Sequence, residues 1–363
     1  MKVVVAIDSF KGCLNSKEAN QAAAEGITEV CPAAEVVPVT VSDGGEGFLE
    51  AFQAAFGGQR MEVTVSDPLM RPVIATYLLQ GKTAVMEMAQ ASGLTLLTPE
   101  ERNPMVATTY GTGQMVADAV KKGATHLIVG LGGSATSDAG IGMLQALADS
   151  FGGDSFDVDG HGHPLEALRN IRFTIASDVK NPLCGIHGAA HVFAPQKFPM
   201  NRAKIEDILA LDERARAFAE RSARRLGYDR SEMEGAGAAG GLGYAFLQYL
   251  DAECRSGIDL LLDAVGFDDF IEDADCIITG EGAADRQTLM GKLPMGILNR
   301  AAGRPVWLIA GKVSNQDALL NAGFAGVECI NPPGITLEEA MRKEVALQHI
   351  RQTVGHILIR NYV

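Results

Sequence analysis

Five apolar residues, Val3-Val4-Val5-Ala6-Ile7, run without a polar interruption and then break into Asp8-Ser9-Phe10-Lys11-Gly12. A short β-branched run with no alternation reads as a strand covered on both faces, the pattern of a parallel sheet rather than of a half-wet hairpin. In open sheets of that kind ligands sit beyond the carboxyl ends of the strands, which is where Asp8, Ser9 and Lys11 fall. A plainer reading is that Asp8 and Ser9 turn the chain and cap a helix beginning near Ser16. The same pattern recurs in EVVPVTVSDGGEG (35–47), DCIITGEGAADRQT (275–288), RPVWLIAGKVS (304–314) and FAGVECINPPG (324–334), each an apolar run stopping in a polar turn. Helices are read between them in SKEANQAAAEGITEV, FLEAFQAAF, LPMGILNRAA and QDALLNAGF, with a final helix in LEEAMRKEVALQHIRQTVGHILI. The ends of the chain, residues 1–61 and 268–363, therefore predict one discontinuous α/β domain, a doubly wound parallel sheet in flavodoxin-like order.

Between them the texture changes. MEVTVSD, PVIATYLL and TAVMEMA place β-formers in quick succession, which predicts a meander. Helices are expected in TTYGTGQMVADAVKKG and SDAGIGMLQALADSF, and strands in THLIVGLGG, RFTIASDV and AAHVFAPQK. Residues 62–267 thus predict an inserted mixed α/β domain. A chain of 363 residues, 47% hydrophobic and 21% charged, is long enough to bury two cores, and a cleft between two domains is the default place for chemistry.

Charge and cysteine usage narrow the partners. A net charge of −14 disfavours nucleic acid and acidic membranes, so an anionic substrate needs a local cluster of Lys and Arg. No stretch reads as a signal peptide or a membrane span, and six scattered cysteines without CxxC spacing fit reduced thiols, so a cytoplasmic protein is expected. Self-association into a homo-oligomer stays open.

Two glycine motifs mislead. GAGAAG (235–240) matches GxGxxG, but a polar helical stretch precedes it where a dinucleotide fold needs an apolar strand, which argues against NAD. Gly81-Lys82-Thr83 resembles the end of a P-loop, yet Thr76 stands where the first glycine should be. GLGGSAT (130–136) is the better phosphate candidate, because glycines and small hydroxyl residues before a helix present backbone N–H groups to anions. His161 and His163 lack the further ligands of a metal site.

Taken in order, AIDSFKGCLNSKEA, VSDGGEGF, EMAQASGL, RNPMVATTYGTGQM, GLGGSATSDAGIGMLQALA, ASDVKNPLCGIHGAAHVFAPQK, GAGAAGGLGYAF, ITGEGAADRQTLMGKLP and IAGKV make the chain resemble the type I glycerate kinase family across nearly its whole length. The resemblance implies ATP-dependent phosphorylation of D-glycerate, generally to 2-phosphoglycerate, with Mg²⁺ as the companion ion and a two-domain body. Phosphoryl transfer asks the protein to hold phosphates, neutralise charge and orient a hydroxyl. On the matching motifs, Asp8, Asp43, Asp138, Asp178 and Asp285 are candidates for a base or for Mg²⁺ ligation, with Asp138 and Asp178 the metal candidates. Each of these also reads as a simple turn cap. Lys11, Lys180, Lys197, Lys292 and Lys312 are candidate partners of phosphate or carboxylate, and Lys11 joins Asp8, Asp178 and Asp285 as a catalytic candidate. Ser9, Asp43, Gly44, Gly45, Glu46, Gly132, Gly133, Ser134, Asn181 and Glu281 complete the expected substrate contacts, with Arg102 set against the glycerate carboxylate. One departure stands out: the family reads GEGR, a large aliphatic residue and Asp, where this chain has Ala283-Ala284-Asp285. A Mg²⁺-dependent phosphoester hydrolase, or a small-anion-binding protein on the same fold, is the alternative.

Overall fold

The structure, a computed structural model, describes residues 1–10, 12–41, 48–152, 168–199 and 203–362. It divides into two compact units, Met1–Phe56 with Ile258–Val363, and Gly57–Gly257.

In the first unit β1 (Lys2–Ile7), β2 (Glu35–Pro38), β9 (Cys276–Ala284), β10 (Val306–Val313) and β11 (Gly326–Cys329) form an all-parallel sheet. Its order is β2-β1-β9-β10-β11. That is the expected flavodoxin-like winding, in which the order reverses direction between β1 and β9. Val3, Val5 and Ile7 of β1 point into a core shared with Ala19, Ala23 and Ile27 of the helix Ser16–Val30 and Ile350, Val354 and Ile357 of the helix Lys343–Asn361. These two helices cross at Gly26, where a Cβ would lie 2.2 Å from the Arg351 carbonyl oxygen, so glycine there sets how closely they approach.

A buried polar clamp fixes the sheet's working edge. Asn20, 1% exposed, accepts from the Ile7 N–H (2.9 Å) and donates to the Val39 carbonyl (2.9 Å) and Ser16 Oγ (3.1 Å). Ser16 in turn donates to the Ile7 carbonyl (2.6 Å) and accepts from the Val41 N–H (3.2 Å). One turn of helix thereby holds the ends of β1 and β2, whose neighbouring backbone groups would otherwise be buried without partners.

The second unit carries β3 (Gln59–Ser66), β4 (Pro72–Gln80), β5 (Thr83–Glu87), β6 (His126–Gly130), β7 (Arg172–Ala176) and β8 (Glu253–Arg255) in sequential order. The first three form the expected antiparallel meander, and β5 to β8 run parallel. The helices Tyr110–Lys121 and Ile141–Phe151 match the expected ones. The three-residue β8 was not foreseen.

Three local expectations are corrected. Asn15, rather than Asp8 or Ser9, caps the helix Ser16–Val30, in a reciprocal capping box with Glu18. AAHVFAPQK is not a strand but the helix Ala189–Phe193 followed by the 3₁₀ turn Pro195–Lys197. Ala190, Ala194 and Phe198 recur every four residues and pack together on Ile208 and Leu211, a helical spacing that β-propensity alone conceals. The long carboxyl-terminal helix is two, Leu337–Ala340 and Lys343–Asn361, interrupted where Arg342 is extended.

Asn20→Ala should lower the unfolding free energy by about 1–3 kcal/mol, because it strands buried backbone groups at the ends of β1 and β2. Urea unfolding checks this, and a loss below about 0.5 kcal/mol, the scale of surface changes, would show that those ends are held by other means.

Candidate active site

The carboxyl ends of β1, β9, β10 and β11 enclose a cavity of about 370 Å³, wholly within the first unit. Asp8 and Ser9 follow β1, Glu281, Gly282 and Ala283 end β9, Gly311 and Lys312 end β10, and Ile330 and Asn331 follow β11. The cavity therefore straddles the point where the strand order reverses, the position at which such sheets bind ligands. Asp8 is 6% exposed, and its Oδ1 accepts the Ser9 N–H at 2.7 Å, directly after the strand.

Glu281 is equally buried. Its Oε1 accepts from Thr288 Oγ1 (2.5 Å) and its Oε2 from Lys292 Nζ (3.0 Å), so the ammonium is pinned to the cavity wall. Burial raises the Glu281 carboxyl above its ordinary pKa, against the opposing pull of Thr288 and Lys292. Lys312 is exposed on β10, in register with Ala283, and makes no ion pair among the described residues. Ala283 is also exposed at the cavity, whereas Ala284 is 1% exposed and packed. Asp285 lies outside the lining, where its Oδ1 accepts the Gln287 N–H at 2.7 Å.

The second unit gathers a different group. After β6, Gly132 and Gly133 are exposed, Gly133 with φ 73°, and Ser134 is buried. Much of this loop's backbone is already bonded within the second unit: Leu131 N–H to Ala176 O, Ala135 N–H to Ser92 O, and Thr136 N–H to Ser134 Oγ. Beneath it Lys197, 3% exposed, donates to the Thr136 carbonyl (2.6 Å) and Ser134 Oγ (3.3 Å). Burial depresses its pKa to about 7, with Asp138 pulling upward. Asp138 accepts from the N–H (2.8 Å) and hydroxyl (2.9 Å) of Thr109 and from the N–H groups of Gly140 (3.1 Å) and Gly142 (3.2 Å). That is the bonding of a carboxylate that organises a loop.

The GAGAAGGLG run has a packing role here. Ala239, Gly240 and Gly241 all take positive φ, and a Cβ on Gly240 would lie 2.0 Å from the Thr136 carbonyl oxygen. Ala139, itself at φ 54°, donates its N–H to the Gly240 carbonyl at 3.0 Å. Two alanines in the left-handed region, on facing loops, are a local concentration of backbone strain of the kind found around functional sites.

The remaining expected residues are dispersed over the second unit. Asp178 is exposed beyond β7, Lys180 pairs loosely with Glu234 (3.7 Å), and Asn181 Nδ2 donates to the His187 carbonyl (2.8 Å). Arg102 is half-buried, and its Nε is buried with no hydrogen-bond partner. Lys11, Asp43, Gly44, Gly45 and Glu46, with His161 and His163, lie outside the described residues. Among the described residues no three His, Cys, Asp or Glu side chains converge as a metal site, and no helix is long and apolar enough to cross a membrane. Sequence reading missed the Asn20–Ser16 clamp and Asn331, whose amide spans the Gly311 carbonyl (2.8 Å) and His349 Nδ1 (2.9 Å). An asparagine on the alanine-rich buried face of a helix was the one signal for the first, and the second had none.

The unfolded chain protonates Lys197 as pH falls through 10.5, its ordinary value, while the folded chain does so only near 7. The contribution of this group to stability is therefore largest above 10.5 and declines as pH drops to about 7. Urea unfolding of the parent and Lys197→Met should show the parent gaining on the variant as pH rises from 7 toward 10, with a flat difference below 7. A difference flat throughout would mean that the buried amine stays charged.

Comparisons with known proteins converge on one identification. The sequence model of the Glycerate kinase family matches residues 3–360. Glycerate kinase of Bacillus subtilis (strain 168) is 40% identical over 379 residues, covering 98% of this chain and 97% of that protein. Glycerate 2-kinase of Escherichia coli (strain K12) is 40% identical over 361 residues, covering 94% of this chain and 93% of that protein. A crystal structure of a candidate glycerate kinase 2 from Salmonella typhimurium LT2 superposes with a TM-score of 0.83 at 36% identity, covering 99% of this chain and 98% of that one.

Proposed function

This chain belongs to the glycerate kinase family and phosphorylates glycerate, and we propose that it moves the γ-phosphoryl group of ATP to D-glycerate, giving 2-phosphoglycerate in the cytoplasm. The observation that carries this reading is the cavity at the β1–β9 reversal, where a buried carboxylate, Asp8, and two cations, Lys292 and Lys312, line one space. The 2-hydroxyl oxygen of glycerate bonds to the γ-phosphorus, the bond from phosphorus to the β–γ bridging oxygen breaks, ADP departs, and the hydroxyl proton passes to Asp8. Lys292, held in place by Glu281, and Lys312 offset the negative charge of the phosphates. Ser9 offers a hard oxygen donor of the kind that suits Mg²⁺, and an ion arriving with the nucleotide would supply further charge neutralisation.

Magnesium-dependent ADP release that requires D-glycerate, with phosphorus NMR locating the phosphate on the 2-oxygen, is the expected result. Phosphate release from phosphoesters without ATP would support a hydrolase instead. Asp8→Asn, nearly isosteric, should fold and lose about 10²- to 10⁴-fold in kcat. A turnover within about twofold of the parent would remove Asp8 from the chemistry.

The exposed position of Ala283 makes the departure from GEGR testable. Ala283→Arg should add a guanidinium at the cavity beside Lys312 and raise kcat/KM by about tenfold, the scale of one charge-assisted contact. Unchanged steady-state constants would show that this position does not face the phosphates.

A further inference from the structure

The cavity in the first unit has a chemically mixed lining. Asp8, Ser9, Glu281, Lys292, Lys312 and Asn331 supply its polar part, while Phe10, Ile330, Leu337, Ala340, Met341 and Ala346 supply an apolar one. D-glycerate carries a carboxylate and two hydroxyls on three carbons, so it has no surface that this apolar wall would bind. We propose that the apolar part of the lining, with Leu337 and Met341 at its exposed edge, receives the flat heteroaromatic base of the nucleotide, with its phosphates directed toward Lys292 and Lys312. The inference rests on the kinase reading and says where in the first unit its nucleotide sits.

Four observations support this occupant. Leu337 is 79% and Met341 41% exposed, so apolar surface at the mouth of a partly polar cavity is left for something to cover. A planar base covering such surface removes it from water. Gly311 leaves its stretch of the wall without a side chain, as a Cβ there would come 2.8 Å from the Gly282 carbonyl oxygen, so a flat group can lie against bare backbone. Asn331 is fixed on the wall by the Gly311 carbonyl and His349, and its amide keeps one N–H and one lone pair for the polar edge of a base. Finally, Lys312 sits on the same wall without an ion pair among the described residues, where a polyphosphate would meet it.

Cys13 lines this cavity and supplies a reporter that does not depend on turnover. Burial raises its thiol pKa, so alkylation by iodoacetamide is followed at alkaline pH by peptide mass spectrometry on the full chain. Adenosine, which presents the base without phosphates, and ADP should each slow labelling of Cys13 by about tenfold, and D-glycerate should not. Leu337→Asp, at an exposed position that folding does not need, should raise the KM for ATP by about tenfold, the equivalent of ~1.4 kcal/mol, and leave the KM for D-glycerate within about twofold. Protection by D-glycerate alone, protection by neither compound, or an unchanged KM for ATP in Leu337→Asp would each overturn the assignment. Protection by adenosine in a chain with no ATP-dependent glycerate phosphorylation would uphold the base site while refuting the kinase reading.

Discussion

The geometry of the first unit depends on a single buried amide. Asn20 satisfies the last N–H of β1 and the carbonyl of Val39 at once, and Ser16 beside it closes the same gap from the other side. Where a strand ends, its backbone groups lose their ladder partners, and in a water-free interior they must find others or the end frays. By anchoring Ile7, the clamp fixes the backbone one residue before Asp8. The direction in which that carboxylate leaves the sheet is thus set by a helix that never touches the cavity through Asn20.

The sheet order and its interruption were legible because they are written in hydrophobic runs. A parallel strand buried on both faces announces itself in Val3 to Ile7 or Cys276 to Thr279, and the switch to alternation near Met61 marks the antiparallel meander. What was not legible is whatever depends on distant contacts. Lys197 reads like any lysine in a motif, and only its burial beneath the Ser134 loop shows it as a strut on the Thr136 carbonyl and the Ser134 hydroxyl. Asp138 likewise reads as a metal candidate, and its four close local donors become visible only in three dimensions. Helix Ala189–Phe193 was hidden because Val192 and Phe193 are β-formers, and its identity comes from the face that Ala190 and Ala194 bury.

Local charge and bulk charge act in opposite senses in this molecule. A net charge of −14 repels anions at long range, yet Lys292 is tied to a buried carboxylate and Lys312 is exposed at the same cavity. Fixing Lys292 with Glu281 has a physical merit beyond pairing: an ammonium already oriented loses less freedom when a phosphate arrives.

The pairing of β1 with β9 brings together residues 3–7 and 276–280, and the whole of Gly57–Gly257 is made between them. During synthesis the first two strands and the helix Ser16–Val30 must wait, with the β9 edge of β1 unpaired and the final helix absent from their core, while some two hundred residues emerge and the second unit acquires everything it needs to pack. At translation speeds of about 5–20 residues per second that delay lasts on the order of ten to forty seconds. A strand edge kept without its partner for so long is a template for wrong pairing, and the insertion that divides the sheet in sequence is what creates that exposure.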